Sequence, residues 1–194
     1  MPTGMVQRVA DRWLWARRVT PSVVGVDHFL VEEPAGGSRR FFVVKLEESG
    51  GKPILAILAR LYVHYNPKCD AYEVLTASAV GGYGPLLYDA TMEAIYPKWL
   101  TPDRSVVTGA AARVWQHYMD RRSDVEHVEN PETCPDHEDR TWLDYLYRKR
   151  GGRLGQSVMT GSELGAHPAV VAHLGAPKKI ESVSMDLWDF TPNV

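Results

Sequence analysis

Ser78-Ala79-Val80-Gly81-Gly82-Tyr83-Gly84-Pro85-Leu86-Leu87-Tyr88-Asp89 joins the end of an extended run to the start of a helical one. The spelling is that of a strand end, a tight glycine turn, and a first helical turn opened by proline. Proline there gives up no hydrogen bond and presets φ. The glycines carry no Cβ, so a ligand can reach the backbone closely. Such a turn leaves amide groups unpaired at a helix N-terminus, where the macrodipole favours an anion such as a pyrophosphate. The segment therefore reads as a cradle for a nucleotide-type ligand.

Working backwards, Ala71 to Ala79 is rich in strand formers, and Asn66-Pro67-Lys68 turns the chain into it from a strand running from Ile54 to about Tyr65. Glu48-Ser49-Gly50-Gly51-Lys52 separates that strand from Arg39 to Glu48, and Ala35-Gly36-Gly37-Ser38 separates the latter from Val23 to Glu33. Three hairpin-type links in succession predict an antiparallel meander. Ahead of it, Met5, Val9, Trp13 and Ala16 recur at helical spacing up to about Arg18.

Working forwards, Leu86, Leu87, Ala90, Ala94 and Ile95 form the apolar stripe of a helix from Pro85 to about Tyr96, stopped by Pro97. A turn at Thr101-Pro102-Asp103-Arg104 leads to a short apolar piece, Val106-Val107. Thr108 is the N-cap of a further helix to about Arg122, with Ala111, Val114, Trp115 and Tyr118 inward. The acidic, proline-punctuated stretch from Ser123 to Arg140 reads as an exposed loop. Trp142 to Tyr147 reads as a last core strand, and the tail from Gly151 gives no clear pattern.

With 194 residues the chain is long enough for one domain with a substantial core, and a net charge of −2 offers no bulk attraction to nucleic acid or an anionic membrane. Two cysteines, Cys69 and Cys134, make no disulfide framework, so a reducing cytosol is the expected compartment. No stretch of the sequence approaches the roughly 20 apolar residues of a membrane span.

The order of meander, glycine turn, helix, short strand and helix resembles the GNAT superfamily of N-acetyltransferases. That family's turn after the fourth strand reads Arg/Gln-x-x-Gly-x-Gly/Ala. Gly82 and Gly84 match it, with Ala79 at the Arg/Gln position. Its next motif, Asn-x-x-Ala-x-x-Leu-Tyr, aligns with Thr108 to Trp115. Ala111 and Val114 fit, Thr108 stands for Asn, and Trp115 stands for the Tyr that often acts as general acid. The run Gly-Tyr-Gly-Pro-Leu-Leu-Tyr-Asp-Ala-Thr-Met-Glu also looks like acetyltransferase-like proteins encoded by bacteriophages, which would work in a host cytoplasm. The resemblance covers about residues 23 to 122.

What the resemblance implies is an α+β domain over residues 1–194, its core at about 23–150. A mixed, mainly antiparallel sheet would lie between helices in three layers, α/β/α. The expected reaction moves an acetyl group from acetyl-CoA, as co-substrate, to an amine acceptor by direct attack, without a metal. The fourth and fifth strands of such a fold splay apart. The backbone of Thr76, Ala77, Ser78, Ala79 and Val80 would then hold the pantetheine arm, and the amides of Gly81, Gly82, Tyr83, Gly84 and Leu86 would face the pyrophosphate. Glu73 is the candidate base, directly or through a water. Tyr118, one turn beyond the family's acid, is the candidate proton donor, and His64 and Tyr65 are possible substrate-side groups. The competing reading is a silent module of this shape acting through protein contacts or self-association, to which Ala79, Thr108 and Trp115 lean.

Other chemistries fit less well. A dinucleotide fold needs a third glycine where Leu87 stands and a parallel crossover before the turn. A P-loop needs a Gly-Lys-Ser/Thr that is absent from the sequence. His127, Cys134 and His137 offer three soft zinc ligands in a stretch whose composition favours a solvated loop.

Overall fold

The computed structural model describes residues 28–103, 106–134, 142–150, 153–156, 158–160, 163 and 166–174. The expected helix at 5–18 and the residues before His28 in the first expected strand lie outside these. Strands β1 (His28–Ala35), β2 (Ser38–Ser49), β3 (Lys52–Asn66) and β4 (Ala71–Ala79) pair in sequence order, each antiparallel to the last. The meander is therefore as the turn residues predict. Gly36-Gly37 and Gly50-Gly51 all have positive φ, as two-residue hairpin turns demand.

The glycine turn then sends the chain into helix α1 (Tyr83–Ala94), which returns it to β5 (Trp99–Thr101), parallel to β4. Helix α2 (Gly109–Arg121) follows, with Thr108 as its N-cap accepting from the Ala111 amide. β6 (Glu126–Glu129) and β7 (Tyr145–Arg148) extend the sheet antiparallel beyond β5. A short helix α3 (Arg153–Gln156), a strand β8 (Val158–Thr160) and helix α4 (Pro168–Leu174) complete the described chain. β8 pairs parallel with β1, so the eight-stranded sheet runs β6-β7-β5-β4-β3-β2-β1-β8. The architecture is α+β with a mixed sheet.

Alternate residues of β1 and β2 serve opposite faces, which is why these strands read as nearly unbroken apolar runs. Leu30, Phe41 and Val43 join Leu61, Val63 and Val74 beneath α1 and α2 in the larger core. Phe29, Val31, Phe42 and Val44 form a second cluster on the other face, against which Met159 and Ala169 pack.

Four readings of the sequence are corrected. The fifth strand is Trp99–Thr101, and Val106, placed there by its apolar character, is 71% exposed. The Thr101-Pro102 turn signal had drawn attention past a strand too short to show periodicity. The acidic segment is not all loop, because β6 lies within it. Its charges belong to a sheet edge, where they discourage pairing with other chains. Trp142–Asp144 is a 3₁₀ turn, and only the following four residues form strand β7. Finally, Cys69 and Cys134, for which no pairing was expected, form a disulfide, 65 residues apart in sequence. The β3–β4 turn and the segment after β6 meet at one end of the sheet, a proximity no local pattern announces. No helix among the described residues is long and apolar enough to cross a membrane.

Candidate functional site

β4 and β5 pair over three residues only, Ala71 with Trp99, Tyr72 with Leu100 and Glu73 with Thr101. β5 then ends while β4 continues for six more residues, Val74 to Ala79, with one edge unpaired among the described residues. Leu75 to Val80 are exposed in consequence. The two strands thus make a fork, and the glycine turn lies at its open end.

Within the turn, Gly82 is the N-cap of α1 with φ of 90°, a left-handed conformation that suits glycine, and no side chain caps the helix. The Val80 amide donates to Leu58 O and the Tyr83 amide to Val80 O. The turn's own backbone bonds leave out the amides of Gly81, Gly82 and Gly84. The cradle expected from the sequence therefore loses Tyr83, whose N–H closes the turn. Tyr83 anchors it instead: its buried ring stacks on His28 at 5.9 Å, with His28 Nε2 2.9 Å from the phenol oxygen.

A cavity of about 500 Å³ opens at this place, bounded by β3, the end of β4, the glycine turn, α1 and α2. Of the expected contact residues, Ala77, Ser78, Ala79, Val80, Gly81, Gly82 and Gly84 line it, and Thr76, Tyr83 and Leu86 do not. Its volume falls within the usual range of small-ligand pockets. Arg60 from β3, Arg113 from α2 and His117 from α2 line it, and no carboxylate does so among the described residues. Neither arginine forms an ion pair or side-chain hydrogen bond among the described residues. In a chain with 24 acidic residues that distribution favours an anion. The two arginines were missed in the sequence, although Arg60 left a signal, a single charge inside the apolar run from Ile54 to Leu61.

The expected catalytic groups are separated. Glu73 sits at the crotch of the fork, opposite His64 in register, where Asn66 Nδ2 donates to its Oε2 at 3.0 Å. It does not line the cavity. His64 Nδ1 lies 2.9 Å from Ser38 Oγ, while Tyr65 is engaged with Asp70 and Lys98. Tyr118 does line the cavity, but it is buried and its hydroxyl donates to Asp89 Oδ1 at 2.8 Å, with Pro85 O at 3.1 Å. Burial, and then the Asp89 charge, hold its pKa well above the ordinary phenol value. Its proton is committed to the protein.

Asp89 is the centre of a buried charge network that the sequence reading overlooked. Arg122 Nη2 meets Asp89 Oδ2 at 2.9 Å, and Lys149 Nζ lies 3.2 Å from the same oxygen and 2.6 Å from Glu93 Oε1. Glu93 also accepts from the Gly155 amide at 2.9 Å. Any Cβ on Gly155 would stand 2.8 Å from Glu93 backbone, so only glycine permits that approach. The network locks α1, α2, the end of β7 and α3 around the cavity wall.

No family model, curated protein or solved structure matches this chain.

Proposed function

We propose that the protein is an acetyl-CoA-dependent N-acyltransferase of GNAT-like design, with α1 and α2 on one side of the sheet and α4 on the other as its outer layers. The observation that supports this most directly is the coincidence of three features in one cavity: a strand fork, three glycine amides at a helix start outside the turn's own bonds, and two arginines unopposed by carboxylate among the described residues. A thioester nucleotide has complementary parts, an extended amide-bearing arm for the bare β4 edge and phosphates for the amides and guanidiniums. In the reaction the acceptor nitrogen would attack the thioester carbonyl, the carbon–sulfur bond would break, and Glu73 at the crotch would take the ammonium proton through a water.

The test is calorimetric titration with CoA and acetyl-CoA, backed by thermal melting. Binding at sub-millimolar concentration with a rise in Tm is expected, because a ligand selective for the native state stabilises it. Absence of binding overturns the reading. One observation favours the second reading, a module that holds the ligand without turnover: the Tyr118 hydroxyl already spends its hydrogen bond on Asp89. Loss of acetyl groups from acetyl-CoA in the presence of an amine library separates the two.

A further inference from the structure

Glu73 and the cavity belong to opposite faces of the sheet. Side chains alternate along a strand, and Val63 and Val74, the neighbours of His64 and Glu73, lie in the core beneath α1 and α2. His64 and Glu73, in register with each other, therefore share the other face, which carries Phe42. Arg40 and Ser38 stand two and four residues before Phe42 on β2, on that same face. Ser38, His64 and Glu73 form one row across β2, β3 and β4. Ser38 Oγ lies 2.9 Å from His64 Nδ1, which fixes the imidazole, and Asn66 Nδ2 holds Glu73 Oε2 at 3.0 Å. Arg40, Tyr62 and Thr76 form the next row, and His64 and Thr76 are exposed.

Arg40 has a carboxylate opposite it on β1, Glu33, yet forms no ion pair with it. Its guanidinium lies instead over the Tyr62 ring, 5.3 Å from the centroid, on the side of the fork. An aromatic face holds such a head extended and leaves its N–H edge for an anion. One strand spacing and one two-residue step, about 8 Å, separate Tyr62 from Glu73. A small molecule spans that interval with a nitrogen at one end and a negative charge at the other. We propose that the acceptor is a small amine carrying its own carboxylate or phosphate, bound on this face with its nitrogen at Glu73 and its anion on Arg40. The inference rests on the CoA reading above and adds the class of acceptor. The nitrogen lone pair forms the bond to the thioester carbon, and the carbon–sulfur bond breaks with its electrons to sulfur. The proton shed by nitrogen passes to Glu73 through a water, and the thiolate is reprotonated by solvent on release.

The experiment uses pairs of amines that differ only in the anion: β-alanine against β-alaninamide, and ethanolamine phosphate against ethanolamine. Binding of each to the CoA-bound protein is read by saturation-transfer NMR, and turnover with acetyl-CoA by the mass of the acetylated amine. In at least one pair the anionic member is expected to bind, and to be acetylated, about tenfold or more better than its neutral partner, the factor that a hydrogen bond to a charged group supplies. The pair that responds tells carboxylate from phosphate. In Arg40→Gln the ratio within that pair should fall towards one, through KM more than kcat, and Arg40→Lys should recover part of it. Equal use of both members, preference for the neutral one, or an unchanged ratio in Arg40→Gln overturns the inference. So does a folded Arg40→Gln that no longer binds CoA, because Arg40 does not line the cavity and such a loss would assign it to the cofactor. Wild type that binds CoA but acetylates neither anionic amine sinks this inference alone. Wild type that binds no CoA sinks it together with the reading beneath it.

Discussion

Gly82 and Gly84 do different work although the sequence spells them alike. Gly82 needs its left-handed backbone, so Gly82→Ala is expected to cost about 1–2 kcal/mol of stability and to distort the amides behind it. A Cβ on Gly84 would meet only the Ala79 Cβ, at 3.7 Å, an ordinary contact. Gly84→Ala should therefore fold normally, whereas Gly84→Leu would fill the cavity and reduce CoA affinity at least tenfold by titration. Arg60 and Arg113 line the same cavity as Ala79, and in the proposed reading they supply the positive charge for the diphosphate. Replacing either by Ala is expected to weaken CoA binding by about tenfold or more, and the loss should shrink as salt rises. Equal affinity of these variants and wild type would remove the anion from the site. At this scale the sequence was half legible. A glycine pair before a proline announces itself through backbone chemistry, but an arginine's destination depends on strand pairing that no spacing encodes.

The elements that frame the cavity are held by ionic contacts as well as apolar packing. Lys149→Met would leave Asp89 and Glu93 buried with one cation fewer, and a loss of about 3–5 kcal/mol in urea unfolding is expected. The network also dictates an acid response. A hydrogen bond from Arg122 holds the Asp124 carboxyl down at about 2 from an ordinary 3.8. Its contribution is full above pH 4 and disappears as pH falls towards 2, so the acid unfolding midpoint should move upwards in Asp124→Asn. The half-exposed position of Asp124 keeps this effect small. Helix and strand extents were readable where period and caps agreed, as at Thr108 and along the meander. β5 and β6 were not, because three or four residues carry no period and their identity as strands comes from the neighbours they pair with.

At the scale of the whole molecule, the disulfide ties the β3–β4 turn to the segment after β6 across 65 residues of chain. Closing a loop of that length restrains the unfolded state by about 4 kcal/mol, so reduction, or Cys69→Ala with Cys134→Ala, should lower stability by that order in denaturant titrations. A change below about 1 kcal/mol would show that the sheet end is held by Trp99, Ala71 and Leu146 alone. The overall class, a meander followed by alternating helices and short strands, was legible from turn chemistry. The extension of the sheet by β8 beside β1 was not, since that strand takes its place from a partner more than a hundred residues earlier.

The bare length of β4 beyond Glu73 bears on how such a protein can change over time. Peptide groups are common to every amino acid, so a guest gripped by main chain alone imposes little selection on which side chains stand there. Letters at positions 74 to 80 are then at liberty to drift while the grip persists, provided the bend at Gly82 survives. Descent under that regime would erase textual kinship faster than shape or chemistry.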